Sequence, residues 1–123
     1  MLKTIQKRLH LRRKVPMMNK ALSMIGLCAR ARRLVSGEFA VEKSIKTNAA
    51  YLVIVASDAS DNTKKSFDDS CKYYNTPIVI FGTKEELGKA LGKEFRASIA
   101  ITDENFAKGI MDKINDTHKK EVS

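Results

Sequence analysis

The side chains best suited to chemistry in this sequence are basic ones gathered around one serine–glycine pair. Five of them lie between positions 30 and 46: Arg30, Arg32, Arg33, Lys43 and Lys46. Ser36-Gly37 stands between the arginines and the lysines, and the apolar spacing after it predicts a helix that opens at Gly37. A helix start presents free N–H groups and the positive end of the helix dipole, which suit a phosphate or a base edge. The pattern favours a polyanion site, and a basic helix pair that only confers solubility is the alternative.

The overall charge points to the same class of partner. The chain has 23 Lys and Arg against 14 Asp and Glu, a formal net charge of +9. Such a balance favours polyanions, because each basic side chain near a phosphate releases condensed counterions. Residues 1–16 hold six basic residues and no acid, so we interpret 1–17 as a basic N-terminal extension. It is a disordered tail, a product of translation begun before Met17 or Met18, or an arm lying along a nucleic-acid backbone.

Catalysis needs ionisable groups that converge, and the sequence offers few. His10 and His118 lie in the basic extension and in a polar C-terminal segment, which are poor settings for a general base. No glycine-rich phosphate loop follows a predicted strand. Asp58 and Asp61 could bind a divalent ion, but their position after a strand is typical of helix caps. The sequence therefore predicts a protein that is not an enzyme, with no cofactor and no metal site.

Cysteine usage and hydropathy bear on the compartment. Cys28 and Cys71 are too few for a disulfide framework and lack metal-ligand spacing, so they predict buried, unreactive thiols. No apolar run approaches the roughly 20 residues that a membrane-spanning helix needs. The N-terminus has no apolar core of a signal peptide. We expect a cytoplasmic protein that does not contact membranes.

The hydrophobic patterns that must position these residues alternate between two periods. They predict helix 18–31, strand 33–36, helix 37–48, strand 51–56, helix 61–74, strand 78–81, a helix from Thr83 to about Gly92, strand 97–101 and a last helix from Thr102 or Asp103. The apolar runs at 51–56 and 78–81 are typical of strands covered on both faces. Thr83 and Glu86 form a capping box. The alternation predicts one α/β domain over 18–115, followed by a polar tail over 116–123.

Three segments of the chain, taken in order, resemble one known family. They read Ala31-Arg32-Arg33-Leu34-Val35-Ser36-Gly37-Glu38, then Tyr51-Leu52-Val53-Ile54-Val55-Ala56-Ser57-Asp58-Ala59-Ser60, then Thr83-Lys84-Glu85-Glu86-Leu87-Gly88-Lys89-Ala90-Leu91-Gly92. Together they resemble the kink-turn RNA-binding ribosomal-protein family, in particular its bacterial YlxQ-like branch. The resemblance extends from about Met18 to Ile114 and implies a three-layer α/β/α sandwich around a mixed sheet of about four strands.

The resemblance also implies which residues contact RNA. In the family, RNA is gripped at the start of the second helix, beside the loop after the central strand, and a loop before the last strand packs apolar residues against an extruded base. Carried onto this chain, the expected RNA-binding residues are Arg32, Arg33, Ser36, Gly37, Glu38, Phe39, Lys43, Lys46, Asp58, Phe95, Arg96 and Ala97. Four of them are expected to line one surface: Arg33, Gly37, Lys43 and Arg96.

Phe39 and Ala40 depart from the family pattern. The usual run is Gly-Thr-Asn-Glu-Val-Thr-Lys, whose Asn and Glu read tandem sheared G·A pairs, and Phe39 and Ala40 stand at those two positions. Neither can form those hydrogen bonds, and each missing bidentate contact removes about 1–3 kcal/mol of base discrimination. Glu38 could substitute from one position earlier. Phe39 either stacks on a base or is buried in the core.

These observations predict a non-catalytic protein that binds structured, kink-turn-like RNA and stabilises its folded shape. The expected partners are ribosomal RNA or the RNA of another ribonucleoprotein, and the ribosome itself, with the protein acting as a monomer. Two alternatives stay open. One is a protein-interaction domain that has lost RNA recognition, which Phe39 and Ala40 favour. The other is a detached RNA-recognition domain that works with a methyltransferase.

Overall fold

Helices and strands alternate along the whole described part of the chain. The computed structural model describes residues 20–122, so the expected extension over 1–17 lies outside the described residues. The elements are helix α1 (Lys20–Arg30), strand β1 (Leu34–Ser36), α2 (Glu38–Lys46), β2 (Leu52–Val55), α3 (Asp61–Tyr74), β3 (Ile78–Ile80), α4 (Lys84–Ala90), β4 (Ser98–Ile101) and α5 (Glu104–Val122). Every helix and strand predicted within this range is present, most with ends within one or two residues of the expectation.

The four strands form one mixed sheet in the order β1-β4-β2-β3. The last strand, β4, lies inside the sheet and pairs antiparallel with β1 on one side and with β2 on the other. The edge strand β3 pairs parallel with β2. Ser36 at the end of β1 lies opposite Ile99, and Val55 at the end of β2 lies opposite Ser98. The start of β4 therefore meets the ends of β1 and β2.

Helices cover both faces of this sheet. On one face α2 and α3 pack against each other, and on the other α1 packs against α4 and α5. All residues of β2 and β4 are buried, as expected for central strands covered on both sides. The largest buried side chain is Phe67 of α3, and most of the core is aliphatic. The predicted three-layer α/β/α sandwich is confirmed.

Local side-chain caps start three of the helices. Ser60 accepts a hydrogen bond from the N–H of Thr63 at the start of α3. At the start of α4, Thr83 and Glu86 each accept a backbone N–H from the other, at 3.1 and 3.0 Å, which confirms the predicted capping box. The carboxylate of Asp103 precedes α5 in the same way. Each cap satisfies N–H groups that the helix leaves without a partner.

Two expectations about the elements are wrong. The strand over 78–81 was expected to be buried on both faces, yet none of the three residues of β3 is fully buried and Ile80 is 43% exposed. The reason is position, because β3 is an edge strand with a neighbour on one side only. The segment over 116–123 was expected to be a separate tail, yet α5 continues to Val122. No Gly or Pro occurs between Ile110 and Val122 to end the helix.

Hydropathy along the helices adds one observation. Among residues 20–122, no helix combines the length and the apolar character needed to cross a membrane.

Both cysteines are buried in the core, as the sequence predicts. The thiol of Cys28 donates a hydrogen bond to the carbonyl of Arg33 at 3.2 Å. Burial raises the pKa of Cys28 to about 11, and the nearby Asp103 carboxylate adds to the rise. Burial likewise raises the pKa of Cys71 to about 11, with Glu42 as the next cause. Neither thiol is suited to act as a nucleophile near neutral pH.

These pKa values predict how stability depends on alkaline pH. A thiol whose pKa rises from 9.0 to about 11 on folding contributes stability that is complete below pH 9 and is lost as the pH passes 11. We therefore expect the free energy of unfolding, measured with urea, to fall more steeply between pH 9 and 11 in the natural chain than in the double variant Cys28→Ala, Cys71→Ala. Lys and Tyr side chains also titrate in this pH range, but both proteins contain the same ones. If the two curves of unfolding free energy against pH were parallel, this expectation would be contradicted.

Candidate nucleic-acid interface

Three loops meet at the end of the sheet where β1 and β2 finish and β4 begins. The N–H of Gly37 donates to the carbonyl of Ser98 at 3.1 Å, and the N–H of Ala56 donates to the carbonyl of Ala97 at 2.9 Å. These bonds join the loop after β1 and the loop after β2 to the segment that enters β4. We call the surface built by residues 36–39, 57–60 and 94–97 the Gly37 surface.

Gly37 has a backbone conformation that only glycine adopts readily. Its φ is 92° and its ψ is 153°, in a region that costs another residue about 1–3 kcal/mol. A Cβ at this position would meet no atom within 4 Å, so the requirement is conformational and not steric. The sharp change of direction lets the chain leave β1 and enter α2 through a single residue. No side-chain hydrogen bond caps the start of α2, so its first backbone N–H groups have no capping side chain.

Arg96 is the charged side chain held at the centre of this surface. Its Nε donates to the hydroxyl of Ser36 at 3.2 Å, and its Nη1 donates to the carbonyl of Phe95 at 2.7 Å. The backbone N–H of Arg96 donates to the carbonyl of Lys84 at 3.0 Å, which ties the loop to the start of α4. A guanidinium has five N–H donors, so several stay available for a ligand. The geometry presents a fixed cation beside Gly37.

A close approach between α4 and the loop before β4 positions Phe95. A Cβ on Gly88 would lie closer to the carbonyl oxygen of Glu94 than real Cβ atoms come to any such atom. The N–H of Lys93 also donates to the carbonyl of Gly88 at 2.8 Å. With its backbone fastened in this way, Phe95 has a side chain that is 60% exposed. The predicted apolar loop residue therefore points away from the core.

Asp58 has a structural role in this region. Its Oδ1 accepts a hydrogen bond from the N–H of Lys84 at 2.8 Å, which fixes the loop after β2 against the first turn of α4. The neighbouring Ser57 donates from its hydroxyl to the carbonyl of Gly82 at 2.8 Å. Among the described side chains, those of residues 20–117, no group of three or more His, Cys, Asp or Glu is arranged to hold a metal ion. Asp58 therefore holds the loop after β2 in place, and its side chain is exposed at the border of the Gly37 surface.

Phe39 lies on the outside of α2. Its side chain is 83% exposed, so the interpretation that it belongs to the core is wrong. Val41 and Ile45 supply the buried face of α2 instead. Glu38 is exposed in the first turn, and Lys43 is exposed one turn beyond Phe39 on the same face.

Lys46 lies at the end of α2 that is remote from the Gly37 surface. It ends α2, about 12 Å along the helix axis from Glu38. Its ammonium group is 3.9 Å from the carboxylate of Glu42, a long, exposed ion pair that adds little stability.

Arg32 and Arg33 lie at the opposite end of the sheet. The carbonyl of Arg33 accepts a hydrogen bond from the N–H of Thr102, which follows the end of β4. The three residues of β1, about 10 Å of extended chain, separate Arg33 from Gly37. Gly37 and Arg96 share one surface as expected, but the expectation is wrong for Arg33.

Comparison with known proteins gives a consistent set of relatives. The sequence profile of the Ribosomal protein L7Ae/L30e/S12e/Gadd45 family matches residues 19–111. The RNA-binding protein YlxQ of Bacillus subtilis (strain 168) is 44% identical over 84 residues, which are 68% of this chain and 84% of that protein. The RNA-binding protein YlxQ of Enterococcus faecium is 39% identical over 89 residues, which are 72% of this chain and 85% of that protein.

Solved structures agree with the architecture. A protein of unknown function from Bacillus halodurans C superposes with a TM-score of 0.76 and 40% identity, covering 78% of this chain and 97% of that one. The Giardia lamblia 15.5kD RNA binding protein superposes with a TM-score of 0.68 over 85% of this chain and 89% of its own. Its identity is 19%, so this second likeness bears on the fold alone.

The contact at Gly88 predicts the effect of one methyl group. Alanine in place of glycine normally stabilises a helix by about 1 kcal/mol. Gly88→Ala should instead lower the free energy of unfolding by about 1–3 kcal/mol, because the methyl group must displace backbone atoms of Glu94 and Phe95. Urea unfolding measures the loss, and the amide resonances of residues 94–97 should shift. Lys89→Ala, an exposed change on the same helix, is the control, and a stabilised Gly88→Ala variant would contradict the contact.

Proposed function

Because the chain belongs to the Ribosomal protein L7Ae/L30e/S12e/Gadd45 family, we propose that it binds RNA through the Gly37 surface. The curated relatives that are 39–44% identical to it are RNA-binding proteins by name. Binding without catalysis fits the side chains available, since the Gly37 surface has one cation, Arg96, together with backbone N–H groups and the exposed rings of Phe39 and Phe95. Its one carboxylate with a defined contact, Asp58, is engaged in fixing the loop.

The observation that carries the proposal is the pairing of a fixed cation with an exposed ring. Arg96 is tied to Ser36 beside the start of α2, and the adjacent Phe95 is 60% exposed. An arginine fork pairs with two phosphate oxygens, and a phenyl ring stacks on a base that has left the helical stack. The two groups follow one another on a loop held by Gly88 and Lys84, so their spacing is set before any ligand arrives.

This arrangement favours a sharply bent, structured RNA of the kink-turn kind. A bend brings two phosphate backbones close together and extrudes a base, which suits a surface made of three rigid loops. Phe39 and Ala40 supply no side-chain hydrogen-bonding group at the start of α2. Recognition then rests on shape, phosphate contacts and stacking more than on base edges. The proposed partner is ribosomal RNA or the RNA of another ribonucleoprotein in the cytoplasm, bound by a monomer and held in its folded shape.

A protein partner is the second candidate, and the exposure of Phe39 favours it. A phenyl ring that is 83% exposed on an outer helix face is suited to a contact with another protein as well as to a base. Salt separates the two candidates. Phosphate-dominated binding weakens steeply as ionic strength rises, whereas an apolar protein contact does not.

The test compares two labelled RNAs by fluorescence anisotropy with the full chain. One contains a kink-turn, and in the other the tandem G·A pairs are replaced by Watson–Crick pairs. We expect tighter binding to the first, and a loss of about tenfold or more for Arg96→Gln, because hydrogen bonds to charged groups are worth about 1.5–3 kcal/mol. Phe95→Ala should weaken binding by a similar factor, since stacking is worth about 1–3 kcal/mol per base.

Lys72→Gln is the matched control for this experiment. It removes one positive charge from an exposed position near the end of α3, about 18 Å along the helix axis from Ser60. Its affinity for the kink-turn should stay within about twofold of the natural chain, because exposed charges beyond a Debye length are largely screened. Equal, salt-sensitive binding to both RNAs would leave a general RNA-binding protein. If the chain bound neither RNA, the second candidate, binding to a protein partner, would be favoured instead.

A further inference from the structure

Arg32 has a backbone conformation that arginine rarely adopts. Its φ is 59°, in the left-handed region. Within residues 20–122, the other positions with positive φ are three glycines and two asparagines: Gly37, Gly82, Gly92, Asn48 and Asn75. Glycine has no Cβ to clash there, and asparagine can form local hydrogen bonds that offset the clash. Arginine has neither advantage, so the demands of folding do not account for the residue at position 32.

Two more arginines adjoin it. Arg30 ends α1 and Arg33 precedes β1, and all three side chains are exposed. We call Arg30, Arg32 and Arg33 the arginine turn. Residues 20–37 contain no acid. Among the side chains of residues 20–117, the ion pairs are four Lys–carboxylate pairs within single helices, and none of them includes an arginine. The turn therefore concentrates positive charge that no carboxylate of the described chain neutralises by direct contact.

The backbone of the arginine turn is firmly held. The N–H of Arg32 donates to the carbonyl of Ala29 and the N–H of Arg33 to the carbonyl of Cys28, both at 3.0 Å. The carbonyl of Arg33 accepts from the N–H of Thr102 at 2.9 Å and from the thiol of Cys28 at 3.2 Å. These bonds fix the turn to α1 and to the end of β4, so the three guanidinium groups project from a rigid base.

Stabilisation of the α1 dipole does not explain three arginines. A cation in the last turn of a helix interacts well with the negative end of the dipole, and Arg30 meets that need. Arg32 lies beyond the helix, in the position where glycine or asparagine usually ends it. A residue kept in an unfavourable conformation is expected where its side chain has another role.

We propose that the arginine turn is a second phosphate-binding surface, which takes the backbone of the same RNA beyond the part held at the Gly37 surface. Arginine suits this role because its planar fork pairs with two phosphate oxygens at once. The two surfaces lie at opposite ends of the sheet, with the length of β1 between them. An RNA that contacts both surfaces would have a helical segment that lies along the side of the domain. The inference rests on the proposed function and adds a contact to it.

The first test separates binding from folding with a single substitution. Arg32→Asn places in the left-handed position the residue type found at 48 and 75. The variant should melt at a higher temperature than the natural chain and still bind a long RNA more weakly, by about threefold or more. A lower melting temperature would show that Arg32 supports the fold, and unchanged affinity would show that it does not contact the RNA. Either result overturns the proposal.

The second test uses the whole turn and two RNAs. The short RNA contains only the kinked motif, and the long RNA extends the same motif by a helix on each side. The triple variant Arg30→Gln, Arg32→Asn, Arg33→Gln should lose about tenfold or more in affinity for the long RNA and little for the short one. Its slope of log affinity against log salt should also be shallower, because each phosphate contact contributes about 0.7–0.9 to that slope.

A charge-matched variant controls for general electrostatics. This control also removes three positive charges, but from exposed positions of α3 and α5, by the substitutions Lys65→Gln, Lys72→Gln and Lys108→Gln. If it weakens long-RNA binding as much as the triple arginine variant does, the effect is one of net charge and the second surface does not exist. If the natural chain bound the long RNA and not the short one, the proposed role of the Gly37 surface would be refuted and that of the arginine turn would stand. Binding to neither RNA would refute both.

Discussion

The position of β4 between β1 and β2 is the constraint on which both proposed binding surfaces depend. Its first residues lie beside the ends of β1 and β2, and its last residue lies beside their beginnings. One end of β4 therefore gathers the loops of the Gly37 surface. The other end, through Thr102, holds the arginine turn. A strand of four residues, about 13 Å long, fixes the separation of the two surfaces.

Burial of β4 on both faces makes this arrangement rigid. All of its residues are buried, and it has ladder hydrogen bonds on each side. To shift one loop against the other would require breaking such bonds in the interior, where an unsatisfied group costs about 1–3 kcal/mol. The contacts at Gly88 and Asp58 extend the rigidity into the loops themselves. A surface of this kind suits a ligand recognised by its shape, because little conformational entropy is lost when the ligand binds.

Sequence reasoning recovered the features that local chemistry determines. The bounds of α3 and the capping box of α4 follow from signals only a few residues apart. Features that depend on strand order were missed, because nothing in the sequence states which strand lies at an edge. The exposure of β3 is one case, and the placement of Arg33 at the far end of β1 is another. The bond between Ser36 and Arg96 spans 60 positions, and only the resemblance to the family pointed to it.

Gly88 and Phe39 show two kinds of partial signal. A glycine inside a predicted helix indicates a close approach of another segment, and Gly88 is such a glycine, but its partner, the backbone of Glu94, could not be named from the sequence. Phe39 precedes Val41 by two residues, so it lies about 200° around α2 from the buried face formed by Val41 and Ile45. The helical period therefore favoured exposure of Phe39 over burial, and the exposed ring agrees with it.

Arg32 and Phe39 are two positions at which the residue conflicts with what folding alone would favour. A left-handed conformation costs an ordinary residue about 1–2 kcal/mol, and a phenyl ring left in water forgoes about 1.5–3 kcal/mol of burial. The starts of α3, α4 and α5 follow the local rules, with a side-chain cap at each, and Asn or Gly occupies the other left-handed positions among residues 20–122. Exceptions of this kind are expected at functional sites, where a side chain is retained for its contacts with a ligand. Phe39 belongs to the Gly37 surface and Arg32 lies at the opposite end of the sheet, so both exceptions fit the proposed RNA that extends along the domain.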